Sequence, residues 1–187
     1  GEASRYYKDQ LRSHSDASTT IAYLKQRGLT GEIAGQFDLG YAPTGWDNLS
    51  STAGNEKKLD LMVKAGLISK RESGGHYDRF RARVIFPIHD NKGRVIAFGG
   101  RLLDEGEPKY LNSPETPVFH KGSELYNLHR ARSAIAQQQM SIVVEGYMDV
   151  LALAQHGIDH CVATLGTATT ATHLQRLFRL APSIVFC

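Results

Sequence analysis

The sequence predicts an α/β protein in two parts: a basic mixed α+β unit over residues 1–138, then the opening of a parallel α/β sheet over 139–187. Three changes of pattern carry that expectation. Apolar residues first recur at helical spacing, then alternate every second residue around a DNKG turn, and finally strands and helices take turns along the chain.

Tyr7 and Leu11, then Ile21 and Leu24, lie one helical turn apart, and Gly28 ends the second helix as a left-handed C-terminal residue would. Asp16 or Ser18 is expected to cap its start. A short helix is predicted over 30–37, a turn-rich connection over the DLGYAPTGW run, and an amphipathic helix over 56–65 closed by Gly66. None of these segments carries residues of catalytic type.

In the middle, Phe80, Ala82, Val84, Phe86 and Ile88 alternate with Arg79, Arg81, Arg83, Ile85 and His89, the repeat of a strand with one buried face. Arg79, Arg81 and Arg83 would then share the other face about 7 Å apart, a rise that suits successive phosphates of an extended strand. A plain solvated face of an antiparallel sheet has the same pattern. Residues 90–93 read as a hairpin turn and 94–98 as the returning strand, followed by the Gly99-Gly100 pair and Arg101. Pro108, Pro114 and Pro117 make 105–122 an ordered or semi-ordered loop, of a length that often carries function.

An alanine-rich helix is expected from Leu125 through Ala136, then an apolar strand over 141–144. The EGYMDVLALAQHG run reads as turn and helix, with Val150, Leu151 and Ala154 on one face and Gly157 at its end. A strand over 160–165, a helix over 170–180 with the stripe Leu174, Leu177 and Phe178, and a strand from Ser183 complete the alternation that implies a parallel sheet. The last strand reaches Cys187 without a following turn, cap or helix, so the chain is read as a piece of a longer protein.

Composition narrows the classes. At 41% hydrophobic, 187 residues can bury a core for one domain and part of another. No apolar run approaches the roughly eighteen residues of a membrane span, and the opening GEASRYYKDQ lacks a signal-peptide core, so a soluble cytoplasmic protein with no membrane partner is expected. The net charge of +3 permits a polyanionic partner without demanding one. Cys161 and Cys187 lack CxxC spacing and are expected to be buried free thiols. The eight histidines show no HExxH motif and no paired Cys/His spacing. His120, beside Lys121, is placed to meet a phosphate or to be a plain loop residue, while His156, His160 and His173 are expected at the surface or its boundary. P-loop, dinucleotide and serine-hydrolase motifs do not occur.

Glu145 stands just past a buried strand, at the carboxyl edge where open α/β sheets collect ligands. If the helix begins there, Asp149 is its i,i+4 neighbour, with Cβ atoms about 5–6 Å apart. Two hard carboxylates so placed suit Mg²⁺ or Mn²⁺. They would equally complement a helix dipole.

The run VVEGYMDVLALAQHGI with VATLGTA resembles the opening of a Toprim domain of bacterial replicative primases (DnaG type). RFRARVIFPIHDNKGRVIAFGGRLL and PKYLNSPETPVFHKGSELYNL resemble the basic subdomain that precedes it, so the resemblance covers nearly the whole chain in order. It implies RNA primer synthesis on a single-stranded DNA template from ribonucleoside triphosphates, with Glu145 and Asp149 catalytic and metal-holding. It further implies template or nucleotide phosphates at Arg81, Arg83, Arg101, Lys109, Tyr110, Asn112 and Lys121, Tyr110 stacking on a base, and Asn112 bonding a phosphate or sugar. The family pattern adds an Asp-x-Asp pair and further acids after the third strand, so the metal site is expected to be incomplete here and the 187-residue chain inactive. The family's zinc-binding module is expected before Gly1, and the module that contacts the replicative helicase after Cys187. Another Toprim enzyme, a topoisomerase or nuclease, would share EGYMDV but not the PKYLNSPET and FHKG loop. A non-catalytic single-strand-binding module is the other alternative.

Overall fold

In a computed structural model, which describes residues 1–103 and 105–187, helices α1 (Glu2–Ser13), α2 (Ala17–Gln26) and α3 (Gly31–Gln36) come first. Asp16 takes the N-cap position of α2 without a side-chain bond, whereas Thr30 caps α3 by accepting the Ile33 N–H. Strand β1 (Gly40–Ala42), a short 3-10 turn (Ser50–Ala53), α4 (Glu56–Lys64) and the hairpin β2 (Ile68–Lys70) and β3 (His76–Asp78) follow. Asn55 caps α4 through the Lys58 N–H, and Gly66 adopts a left-handed φ of 66° beyond its end.

Strands β4 (Arg83–His89), β5 (Val95–Leu102) and β6 (Tyr110–Asn112) join β1 in an antiparallel sheet of order β1-β4-β5-β6. Asp90 builds the β4–β5 turn: its carboxylate accepts the Lys92 and Arg94 N–H groups, and its carbonyl accepts the Gly93 N–H. The third unit is a parallel sheet of order β8-β7-β9, with β7 (Met140–Val144) between β8 (Cys161–Ala163) and β9 (Ser183–Phe186). Helices α5 (Leu128–Gln138), α6 (Tyr147–Gln155) and α7 (Ala171–Phe178) accompany it.

Strand β4 departs from the one-faced pattern, because both of its faces are buried. Val84, Phe86 and Ile88 enter a core shared with Leu24, Ile33 and Phe37 of the helices and with Val144, Tyr147, Val150, Leu151 and Leu165 of the parallel unit. Ile85 points the other way, into Tyr7, Phe80 and Phe98. The antiparallel and parallel units therefore share one continuous apolar core. Helix α5 packs on the parallel sheet, where Leu128, Ala131 and Ile135 meet Val143, Val162 and Leu177.

The expected arginine strand does not form. The chain from Arg79 to Ala82 is irregular, Ala82 takes a positive φ of 50°, and the strand begins only at Arg83. Arg79, Arg81 and Arg83 therefore do not share a strand face. In turn, β5 runs further than expected and contains Gly99, Gly100 and Arg101, while β6 lies inside the predicted loop and pairs Gly99, Gly100 and Arg101 with Asn112, Leu111 and Tyr110. Smaller departures are the exposure of Ile21, Phe178 and Cys187, and the complete burial of His173. Buried Cys161 fits its expectation: its Sγ faces the Val150 and Ile158 carbonyls, and burial raises the thiol to about 11.

His89 gives the fold an acid limit. Burial, then the Arg130 charge, pushes its imidazole down to about 4. A histidine depressed when folded contributes stability above its unfolded value near 6.5, and that stability is lost as the pH falls through this window towards 4. After discounting for partial solvent contact, we expect about 1–2 kcal/mol of destabilisation from His89 over this range. Melting of wild type and His89→Gln between pH 7 and 4 measures it; parallel curves would remove His89 from the account.

Candidate nucleic-acid interface and metal-facing edge

The carboxylates sit where β7 ends. The apolar run Ile142, Val143 and Val144 forms the central strand, and the chain leaves the sheet at Glu145. Helix α6 begins later than expected, at Tyr147, with Gly146 as N-cap, so Glu145 lies outside the helix and is not an i,i+4 helical neighbour of Asp149. Asp149 accepts the Gly146 N–H on Oδ2 at 3.1 Å, which fixes the turn in the manner of an N3 capping acid. Glu145 is exposed, and among the described residues its carboxylate has no hydrogen-bond or ion-pair partner. A free hard-oxygen donor four residues before a second carboxylate with one uncommitted oxygen is a donor set of the type that a Mg²⁺ or Mn²⁺ shell uses. Among the described residues, no group of three or more His, Cys, Asp or Glu side chains gathers to complete one.

Tyr147 fixes this turn against the antiparallel sheet. Its ring stacks on Phe86 at 4.9 Å with planes 10° apart and meets Tyr126 edge-on at 4.7 Å. Its hydroxyl donates to Asn112 Oδ1 on β6, and the Asn112 amide donates to the Leu165 carbonyl at 2.7 Å. Asn112 thus binds β6 to the parallel unit and has its amide engaged internally rather than offered to a phosphate. The close approach requires glycine at position 99, since a Cβ there would lie 2.5 Å from the Tyr147 hydroxyl. The EGYMDV motif contained Tyr147, but helical spacing marks it only as a first-turn residue.

The basic residues divide by environment. Arg83 is buried and donates to the Gly100, Pro108 and Lys109 carbonyls, so it ties β5 to the chain entering β6. Arg79 reaches the Asn112 carbonyl at 3.4 Å. Arg101 is also buried, donates to the Tyr110 hydroxyl at 2.7 Å, and lies 4.7 Å from the Tyr23 ring centroid and 5.2 Å from that of Tyr110. Tyr110 remains 40% exposed, enough to offer ring surface. Lys109 is exposed beside it, and Lys121 is partly exposed with its N–H on Glu115. His120 is exposed and bonds Glu115 at 2.9 Å.

Arg81 belongs to a cluster that sequence patterning missed. Its guanidinium lies 4.0 Å from the centroid of Trp46, which is 56% exposed, and 5.6 Å from that of Tyr77. Arg71 approaches the same two rings at 5.5 and 5.8 Å, and Trp46, Tyr77 and Arg71 line an open hollow of about 470 Å³. The only available signal was the chain's single tryptophan, in a run that reads as a turn.

Comparison with known proteins decides the family. Residues 6–132 match the family model for the DNA primase catalytic core, N-terminal domain. The chain belongs to the DNA primase catalytic core family. Residues 142–187 of this primase-family chain match a Toprim-like model. It is 58% identical over 187 residues to a DNA primase of Pseudomonas putida, covering 99% of this chain and 28% of the relative, and 51% identical over 183 residues to that of Escherichia coli K12, covering 97% and 31%. The chain thus spans about 30% of the length of its curated primase relatives. Among solved structures, a DNA primase domain from Pseudomonas aeruginosa superposes with a TM-score of 0.95 at 57% identity, covering all of this chain and 59% of that one. A DnaG primase catalytic domain bound to single-stranded DNA superposes with a TM-score of 0.92 at 47% identity, covering 100% and 60%. The primase-core match over the first part of the chain favours this family over a topoisomerase or nuclease.

Proposed function

We propose that the chain is the part of a bacterial primase that holds single-stranded template DNA and ribonucleoside triphosphates beside a divalent-metal edge for RNA primer synthesis. The observation that carries this is the Tyr147–Asn112 bond, which joins the turn bearing Glu145 to the strand bearing Tyr110 and next to Lys109. Acids and cations are thereby brought to one junction. The relative bound to single-stranded DNA supports a template at this scaffold.

Within that function, Glu145 and Asp149 are assigned as the catalytic carboxylates and the ligands of Mg²⁺ or Mn²⁺. When bound, the ion would sharpen the attacking oxygen and neutralise phosphate charge. Lys109, Lys121 and Arg101 supply positive charge to phosphates, and Tyr110 stacks on a base. Arg81 contributes with Trp46 and Tyr77 as an aromatic surface, while Arg79, Arg83 and Asn112 act by holding the β5–β6 edge in place. We assign the boundary between the basic subdomain and the Toprim part to 138/139, in keeping with model matches that end at 132 and begin at 142, with α5 packed on the parallel sheet. Zinc and helicase contacts are assigned to other modules of the parent protein, which pairs primer RNA with template in the bacterial cytoplasm. The 187-residue chain is assigned no primer synthesis of its own.

Binding of a fluorescent oligothymidylate tests the template assignment. Trp46→Ala should weaken it about tenfold with little change in salt dependence, because stacking on one aromatic contributes about 1–3 kcal/mol. Lys109→Ala should instead make the logarithmic salt slope shallower by about 0.7, the value for one phosphate contact on a single strand. Salt-independent binding by the wild type would overturn the assignment.

A further inference from the structure

Helix α7 makes an unusual set of contacts with the loop that carries Lys121. Thr170, His173 and Arg176 stand three residues apart on one side of this helix and its cap. The Thr170 hydroxyl donates to the Gly122 carbonyl at 2.7 Å. His173 is fully buried, and its Nε2 meets the Lys121 carbonyl at 3.1 Å, so Nε2 must carry the proton. Its Nδ1 correspondingly accepts the Thr170 N–H at 3.2 Å, which fixes one neutral tautomer. Arg176 donates to the Ser123 carbonyl and pairs with Glu124 at 3.0 Å.

Three consecutive backbone carbonyls, of Lys121, Gly122 and Ser123, are therefore each bound by a different side chain of one element of the Toprim part. From the other side, Glu115 accepts the Lys121 N–H at 3.0 Å. The backbone of Lys121 is held at both its N–H and its carbonyl, yet among the described residues its side-chain ammonium has no hydrogen bond or ion pair. A cation on a fixed backbone loses less freedom when it meets a phosphate than one on a mobile loop. A buried histidine with both ring nitrogens engaged is a costly device for a loop that needs only to be covered.

We propose that His173 is a positioning residue: through the Lys121 carbonyl, it sets the Lys121 ammonium for a nucleic-acid or nucleotide phosphate and so couples the Toprim part to the basic subdomain. The proposal rests on the assignment of Lys121 as a phosphate-binding residue. Thr170 and Arg176 hold the two following carbonyls.

A double-mutant cycle in the full-length parent protein tests it, with oligothymidylate affinity measured from low to high salt. Lys121→Ala should weaken binding about three- to tenfold and make the salt slope shallower by about 0.7. His173→Leu, which cannot donate, should reproduce both changes, and His173→Gln, which keeps a donor towards the carbonyl, should restore most of the affinity. The double variant Lys121→Ala/His173→Leu should bind no more weakly than Lys121→Ala alone. Additive losses, or a His173→Leu protein with the wild-type slope, would overturn the positioning role. A Lys121→Ala protein that binds like the wild type would overturn the phosphate assignment beneath it. Should His173→Leu fail to fold, Thr170→Val, which removes the Gly122 bond together with the Thr170 cap on the His173 N–H, enters the same cycle beside Thr170→Asn, which keeps a cap acceptor, and the same outcomes decide.

Discussion

Replacing Glu145 with alanine in the full-length protein is expected to lower primer synthesis by about three orders of magnitude, while oligothymidylate affinity stays within about twofold. Loss of a carboxylate that helps hold a catalytic ion removes about 4 kcal/mol or more of transition-state stabilisation. Folding should be untouched, because the side chain is exposed and unpaired among the described residues. Asp149 is the informative contrast. Its Oδ2 closes the Gly146 turn, so Asp149→Ala removes both a charge and an N-terminal cap, which contributes about 1 kcal/mol. Asp149→Asn keeps the cap acceptor and removes the charge alone. Steady-state synthesis, binding and melting of these three variants separate the roles. Retained synthesis in Glu145→Ala would sink the catalytic assignment and leave a binding module.

Tyr147→Ala should be the most destabilising change near the site, at about 4 kcal/mol, because it empties the contact between Phe86 and Tyr126 in the shared core. A loss of that size lowers the melting temperature by about 10 °C for a chain of this length. Tyr147→Phe keeps the ring and removes only the hydroxyl, leaving Asn112 Oδ1 without that donor at a cost of about 1–3 kcal/mol. Synthesis should nevertheless fall in Tyr147→Phe by more than its melting shift accounts for, since the bond that orients the Glu145 turn towards β6 is lost. Gly99→Ala should imitate it from the opposite strand by pushing the Tyr147 ring away. If all three melt and synthesise as the wild type does, the junction is not a determinant of the site.

The arginine segment illustrates how far pattern carries. Strict alternation from Arg79 to His89 is the signature of a half-buried strand, but the strand occupies only Arg83–His89 and is buried on both faces. Local period cannot reveal that a second unit will cover the face left for solvent. The left-handed Ala82 and the cation–π contacts of Arg81 with Trp46, thirty-five positions earlier, arise from packing between distant segments. His173 is similar: its buried place follows from the Lys121 carbonyl, to which no helical stripe points.

Helical and alternating periods, the DNKG turn and the succession of strands and helices were enough to determine the α/β class, the antiparallel unit and the parallel unit, because these are local regularities of one segment at a time; the family resemblance came from the EGYMDV and PKYLNSPET runs themselves. The position of Glu145 at a strand's carboxyl end followed from the same regularities, while the start of α6 at Tyr147, which sets Asp149 at N3, did not. Tertiary structure alone decided that the two units share one core, that Tyr147 and Asn112 join the acid turn to strand β6, and that buried Arg83 and Arg101 face carbonyls and aromatic rings. Those outcomes depend on which surfaces meet across long stretches of chain. A burial or hydrogen bond made between such surfaces leaves no period in either segment.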